Sequence, residues 1–228
     1  MNKLSVWAVL LFSVLLNGCA TTATSTFNYT QPTKSKIENE VVINKPFEVV
    51  WSSLIRKLSK SFYVVNNVAK ESRLINVSFS SDTPENYVDC GFTDRTFVMG
   101  SLKEDYLYDV AEDSTYKFGR GTNQGGNLTI VDYVNRRTDL DGRINIYVAP
   151  VGANKTEVSV NTKYIFTAKV DGTRQWLNLH KQPVTSRAFN VPASVINFTT
   201  DTKGSSKEIT CFSIGKMETE IIGMLKSI

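Results

Sequence analysis

Apolar residues recur along the chain in two rhythms, and the first is helical. Spacings of three and four predict amphipathic helices over about 46–60 and from about Ser213 onward. The two apolar stripes consist of Phe47, Val50, Trp51, Leu54 and Leu58, and of Met217, Ile221, Met224, Leu225 and Ile228. Pro46 suits the first turn of a helix, and the Ser213 hydroxyl can cap the second one. We interpret the first stripe, Trp51 included, as a core-packing face rather than a surface for a partner.

The second rhythm is an alternation of β-branched or aromatic residues with polar ones, which predicts strands. The predicted strands lie at about 40–44, 63–68, 74–80, 93–100, 105–110, 127–136, 143–149, 156–168, 194–200 and 207–211. Predicted turns separate them at 69–73, Asp141-Gly142, Val151–Asn154 and Asp171-Gly172. The pattern predicts an α+β fold: a helix-grip-like, curved antiparallel sheet of six to eight strands with an N-terminal and a C-terminal helix.

The first eighteen residues have the layout of a cleaved export signal. Lys3 precedes an uncharged apolar run from Leu4 to Leu16, and Gly18 stands before Cys19. The run is shorter than the about 20 residues that a membrane-spanning helix needs. We therefore expect residues 1–18 to be a signal peptide.

The segment Leu16-Asn17-Gly18-Cys19 resembles the lipobox of bacterial lipoproteins, although Asn17 departs from the small or aliphatic residue usual there. The resemblance implies diacylglycerol on the Cys19 thiol, cleavage before Cys19, and acylation of the new amino group by a fatty acid such as palmitate. Ala20, rather than an aspartate, follows the cysteine, which in this family points to an outer-membrane anchor, with the domain facing the periplasm. The alternative is an ordinary signal peptide with a chance cysteine near its cleavage site.

The mature chain would keep 210 residues, enough for one large domain. The stretch after the cysteine is rich in Thr and Ser and has few aliphatic residues, which predicts a flexible tether over 19–36 and one α+β domain over 37–228. Without Lys3, 25 basic side chains face 22 acidic ones. The longest basic run is Arg136-Arg137, so the charge pattern gives no support for nucleic-acid binding.

Once lipidation uses Cys19, Cys90 and Cys211 are the remaining cysteines. In an oxidising compartment we predict that they form a disulfide; two separately buried thiols are the alternative.

A second resemblance involves the run from Val41 to Trp51, followed by Tyr63-Val64-Val65 and Ile75-Asn76-Val77. It is similar to the repeating unit of the lipoprotein component of the outer-membrane β-barrel assembly machinery that has two helix-grip domains. Here Lys70-Glu71-Ser72-Arg73 replaces the family's Gly turn. The likeness covers about 40 residues and implies architecture, not membership in that machinery.

Motifs for catalysis or metal binding are weak. The run Gly119–Gly126 has the wrong spacing for a phosphate loop and favours a mobile hairpin loop. The acids Glu104, Asp105, Asp109, Glu112 and Asp113 lack the order of a calcium loop and favour a solvated edge. The single histidine, His180, is expected in a surface loop. We therefore predict no catalytic residues, no metal site and no cofactor, and the ligand-binding residues stay open.

Two functions remain. The preferred one is a non-enzymatic interaction or scaffold subunit that joins a protein partner in the envelope, with sheet edges that can accept a partner strand. The alternative is a binding module for a lipid or other small apolar ligand in a cavity between the curved sheet and a helix.

Overall fold

The structure is a computed structural model that describes residues 22–207 and 209–226. The predicted signal peptide and Cys19 lie outside the described residues. The described strands are β1 Ala23–Thr30, β2 Glu40–Ile43, β3 Val64–Ala69, β4 Leu74–Ser81, β5 Val88–Asp89, β6 Phe92–Met99, β7 Leu102–Asp109, β8 Ser114–Thr122, β9 Thr129–Pro150, β10 Thr156–Leu177, β11 Pro183–Thr199, β12 Gly204–Ser206 and β13 Ile209–Ser213. The helices are α1 Phe47–Leu58, α2 Lys216–Lys226 and a short 3-10 turn at Pro84–Asn86.

The predicted helix-grip fold with six to eight strands is wrong. Strands make up 60% of the described chain and helices 13%, and ten strands join one antiparallel sheet. Its main path runs β11-β10-β9-β8-β1-β6-β7, while β2 pairs with β10, and the β3–β4 hairpin joins β9. A small second sheet has the order β12-β13-β5.

The low strand count comes from β1 and β8, which the sequence pattern does not predict, and the strand bounds differ because two glycines that the pattern assigns to turns lie inside strands. Gly142 and Gly172 lie inside β9 and β10, which each run for 22 residues. A Cβ atom at Gly142 would stand 2.0 Å from the Phe79 ring, and one at Gly172 would stand 2.1 Å from the Tyr133 carbonyl oxygen. Both glycines therefore allow close approach within the sheet. The predicted turn at Val151–Asn154 is confirmed, because it joins β9 to β10.

Part of the predicted flexible tether is a strand. Within 19–36, all eight residues of Ala23–Thr30 pair with β6, from Ala23 opposite Met99 to Thr30 opposite Phe92. Only Ala23 of these eight is fully buried. The strand is therefore held by its partner's backbone rather than by an apolar face of its own.

Helix α1 confirms the apolar stripe, because Val50, Trp51, Leu54 and Leu58 are buried. Helix α2 buries Met217, Ile221 and Leu225 but starts at Lys216, not at the predicted Ser213. Ser213 ends β13 instead, where its hydroxyl accepts from the Gly215 amide. Together the helices cover one face of the sheet, and large aliphatic side chains fill the space between them.

A buried carboxylate fixes α2 to the sheet. Glu218, fully buried, accepts a 2.6 Å hydrogen bond from the Thr200 hydroxyl and a longer one from Tyr164. Burial, and secondly the nearby Glu218, raise the pKa of Tyr164. Tyr164 therefore stays neutral and able to donate at ordinary pH.

The predicted disulfide is confirmed: Cys90 and Cys211 are joined across 121 residues, and both are fully buried. The bond ties the segment between β5 and β6 to β13, just ahead of α2. No described helix combines the length and apolar character that crossing a membrane requires.

Candidate functional site

A cleft of about 380 Å³ lies on the concave side of the curved sheet. Residues from β1, β6, β7, β8, β9, β10 and β11 line it, together with Ser206, Lys207 and Ile209. Strands from both ends of the sheet order meet there, which requires the sheet to curl around the cleft. The volume is within the range of small-molecule sites.

One wall of the cleft is a stack of aromatic rings around an arginine. The Arg95 guanidinium carbon lies 4.4 Å from the centre of the Tyr116 ring and 5.0 Å from that of Phe27. Its Nε donates a 2.8 Å hydrogen bond to the Tyr108 hydroxyl. Tyr108 and Tyr116 are stacked, with centroids 5.8 Å apart. These contacts hold a cation and flat apolar surface side by side.

A second arginine is buried in the floor. Arg136 is only 7% exposed, and its two terminal nitrogens donate to the carbonyl oxygens of Val110 and Glu112. Burial lowers the pKa of the Arg136 guanidinium, because its charged form loses hydration. Arginine nevertheless stays protonated in proteins, so the floor of the cleft carries a fixed positive charge.

The described lining contains three cations, Arg95, Arg136 and Lys207, and no aspartate or glutamate. Within the described chain, none of the three lies in a salt bridge. The opposite wall is aliphatic and includes Val170 and Val191. The cleft therefore combines apolar surface with positive charge. Asp109 and Asp113 attract the Arg136 guanidinium from outside the lining, without a salt bridge.

The disulfide and the cleft share one residue, Tyr29. Its side chain lines the cleft, and its hydroxyl donates to the Cys90 carbonyl at 3.0 Å and accepts from the Thr210 amide at 2.9 Å. Thr210 precedes Cys211, so Tyr29 bridges the two chain segments that the disulfide joins. The covalent link thus supports one end of the cleft.

A larger groove of about 590 Å³ lies on the opposite face of the sheet, and we do not favour it as a site. It is open to solvent and lined by serines and by Asp82, Asp139 and Asp141. Asp139 is paired with Lys169 at 2.7 Å. No cluster of three or more potential metal ligands occurs within 22–207 or 209–226.

The acidic residues of the predicted solvated edge serve separate local roles. Asp105 pairs with Lys103 at 2.8 Å and Glu104 with Lys117 at 2.5 Å. Asp109 and Asp113 accept hydrogen bonds from the backbone amides of Ala111 and Thr138.

Other residues singled out in the sequence lie apart from the cleft. Trp51 packs in the core with its ring centre 5.5 Å from that of Phe47, and His180 is exposed in the β10–β11 loop; both positions agree with expectation. The predicted hairpin loop at 119–126 is too wide, because residues up to Thr122 belong to β8 and the loop spans 123–128.

Sequence reasoning missed the cleft, and one signal could have indicated it. Arg136 has the same strand parity as Ile144 and Ile146, which face the core. An arginine at an inward position of a strand is costly unless something compensates it, so it marks a candidate site. The partners of Arg136 come from other strands and follow no local motif.

The chain was compared with protein-family models, with curated proteins and with solved structures, and none of them matches it.

Proposed function

We propose that this protein is a lipid-anchored envelope lipoprotein that binds an anionic amphipathic molecule in its cleft. Such a ligand has an apolar body and an acidic head, as fatty acids and alkyl phosphates do. The observation that supports this proposal is a partly apolar cleft with three cations and no carboxylate among its described lining residues. The proposal keeps the expected ligand-binding module but moves its site from the sheet–helix space to the concave side of the sheet.

Loss of hydration in the cleft strengthens the attraction between its cations and an anion. A guanidinium in a poorly hydrated site interacts with an anion more strongly than it would in water. Arg136 donates hydrogen bonds to backbone carbonyls, and Asp109 and Asp113 attract its charge from outside the lining. A ligand carboxylate or phosphate would bring a full negative charge into the cleft itself, and arginine matches the geometry of both groups.

The aromatic and aliphatic walls of the cleft suit an alkyl chain. The Tyr108–Tyr116 stack faces a lining that also includes Val170, Val191 and Pro192. Phe27 remains 55% exposed at the mouth of the cleft. Covering these surfaces with an alkyl chain would contribute about 25 cal/mol per Å² of apolar area removed from water.

A binding role is favoured over catalysis at this site. The described lining has no imidazole, thiol or carboxylate that could serve as a general base or nucleophile. Burial raises the pKa of the Tyr116 hydroxyl, so Tyr116 stays neutral at ordinary pH and supplies no phenolate base. Recognition of an acid group needs only the fixed cations.

Isothermal titration tests the proposal with decyl phosphate and with decyl maltoside, which share a tail and differ in head charge. We expect decyl phosphate to bind and Arg95→Gln to weaken it about tenfold or more, because a charge-assisted hydrogen bond contributes about 1.5–3 kcal/mol. The matched control is Arg143→Gln, which removes an exposed cation from the other face of β9. Equal affinity for both detergents, or an equal effect of the two substitutions, would refute the charge-based selection.

A second candidate function, the interaction subunit, is supported by strand β3. Within the described chain β3 pairs only with β4, so its other edge is open. Val64, Val65 and Val68 on this strand are exposed, as is Phe62 just before it. A partner strand could add here, although the register shift between Val65 and Asn67 interrupts the edge.

Photo-crosslinking in intact envelopes tests this edge. A photo-crosslinking amino acid at Val68 should capture a protein, and one at exposed Lys163 serves as the control. Equal capture at both positions would exclude a specific edge.

The anchor has its own test. Cells fed a clickable palmitate should label the native chain and not a Cys19→Ser variant. An unlabelled native chain would overturn the lipoprotein assignment while leaving the cleft proposal intact.

A further inference from the structure

The position of strand β1 determines which end of the molecule a lipid on Cys19 would hold against the bilayer. Ala23, the first residue of β1, is four residues from Cys19. Four residues span at most roughly 14 Å, whatever their conformation. If the anchor of the proposed function is present, Ala23 therefore stays within that distance of the lipid surface.

Three hairpin connections lie at the same end as Ala23. Ala23 pairs with Met99, next to the β6–β7 turn, and with Gly121, next to the β8–β9 loop. Thr129, which follows that loop, pairs with Leu177, which precedes the β10–β11 loop. The side chains of Ala23, Met99 and Leu177 share a small buried cluster, so these ends belong to one packed unit.

Two of these loops are closed by asparagines. The Asn178 side chain accepts from the amides of His180 and Gln182 at 2.9 and 3.0 Å, and that of Asn123 accepts from Asn127 and Leu128 at 3.1 and 3.0 Å. The side-chain bonds define the loops as compact turns. Together with the short β6–β7 turn they form one end surface, which we call the hairpin end (residues 100–101, 123–128 and 178–182).

We infer that the hairpin end faces and contacts the lipid headgroups, and that the domain extends from the membrane along β9 and β10. The inference rests on the proposed lipid anchor. The hairpin end contains no acidic residue, and its Lys181 and Leu179, the latter 63% exposed, suit the boundary between headgroups and acyl chains. Turns at the opposite end also carry basic residues, among them Arg73 and Lys155. Charge therefore does not choose between the ends; the length of the anchor segment does.

This orientation places the cleft close to the membrane. Phe27 and Tyr29 lie four and six residues along β1 from Ala23, or roughly 13 and 20 Å at the rise of an extended strand. An amphipathic ligand could then pass between the bilayer and the cleft over a short distance. The β9–β10 turn at 151–155 lies at the far end of strands that extend for up to roughly 70 Å.

Fluorescence quenching tests the orientation in the full acylated protein reconstituted into vesicles that contain a headgroup-labelled quencher lipid. A fluorophore is attached at Leu179→Cys in one sample and at Ala153→Cys in the other, both exposed positions in turns at opposite ends. We expect quenching at position 179 to exceed that at position 153 at least fivefold. The same label at either position in a Cys19→Ser chain should show little quenching.

The outcomes separate this inference from the anchor on which it rests. Acylated protein that sediments with vesicles but shows equal quenching, or stronger quenching at position 153, overturns the orientation alone. A mass spectrum without acyl chains and a failure to sediment overturn the anchor, and the orientation with it. A selective signal at position 179 in the acylated protein supports both.

Discussion

Replacing both Cys90 and Cys211 by alanine should destabilise the fold by up to about 5 kcal/mol. The bond closes a loop of 121 residues, and the chain-entropy relation gives about 5 kcal/mol at 25 °C for a loop of this size. Because both sulfurs are fully buried, their removal also takes away packing contacts. Native strain can reduce the contribution below this value, so we expect a measured loss of about 3–5 kcal/mol.

Equilibrium urea unfolding measures this loss in a Cys19→Ser background, which leaves no third thiol. The free energy of unfolding should fall, and the oxidised parent should approach the double variant when a reductant is added. Affinity for decyl phosphate should fall as well, because Tyr29 in the cleft is held by the two segments that the bond joins. A loss below about 1 kcal/mol would refute the view that this bond secures the β-rich body, since a disulfide of ordinary effect contributes 2–4 kcal/mol.

Further substitutions test the packing and the charges of the sheet. Leu54→Ala should cost about 3 kcal/mol in urea unfolding, because Leu54 is fully buried between α1 and the sheet; a loss under 1 kcal/mol would contradict that packing. Gly142→Ala should lower the free energy of unfolding by about 2 kcal/mol, since its new methyl group would overlap the Phe79 ring. Adding Phe79→Leu to the same chain should recover part of this loss. If stability does not recover, the overlap is contradicted. Burial raises the pKa of Asp132, but hydrogen bonds from Arg174 and Arg120 outweigh this effect, so the pKa is lowered overall. The stability that the Asp132 carboxylate contributes should therefore be present above about pH 4 and be lost as the pH falls further. Asp132→Asn should lower the free energy of unfolding by about 2 kcal/mol at pH 7, and the variant should be less sensitive to acid than the parent.

Local patterns were enough to predict the parts of the fold that depend on near neighbours. The stripe of α1 repeats within one short segment, and the turn at 69–73 joins adjacent strands, with Arg73 at φ 59°. The Cys90–Cys211 pairing followed from having only two candidates. These features need little information from elsewhere in the chain.

The strand bounds and the strand count were wrong because glycine and threonine each occur in more than one kind of structure. Gly142 fits under Phe79, 63 positions earlier in the chain, and the sequence around Asp141-Gly142 has the same composition as a turn. Strand β1 consists largely of small and polar residues whose strand state depends on β6, about 70 positions away. Strand β8 was missed for the same reason: Gly119 lies directly against the backbone of Ala23 and Thr24.

The cleft could not be predicted because its chemistry is assembled by the curvature of the sheet. Arg95, Tyr108, Tyr116 and Arg136 come from four strands, and no spacing along the chain relates them. Only the inward parity of Arg136 could be seen in the sequence. The expected cavity between sheet and helix is instead filled by buried aliphatic side chains.

Photoaffinity labelling would test most directly whether the cleft is the binding site. An alkyl phosphate with a diazirine at the end of its tail is irradiated with the acylated protein, and the adducts are mapped to peptides. We expect adducts on cleft residues of β1, β7, β8 or β11, with competition by decyl phosphate and reduced yield in Arg95→Gln. Adducts confined to α1, α2 or the outer face of β9, or labelling that decyl phosphate fails to reduce, would contradict a cationic cleft that selects an acidic amphipath.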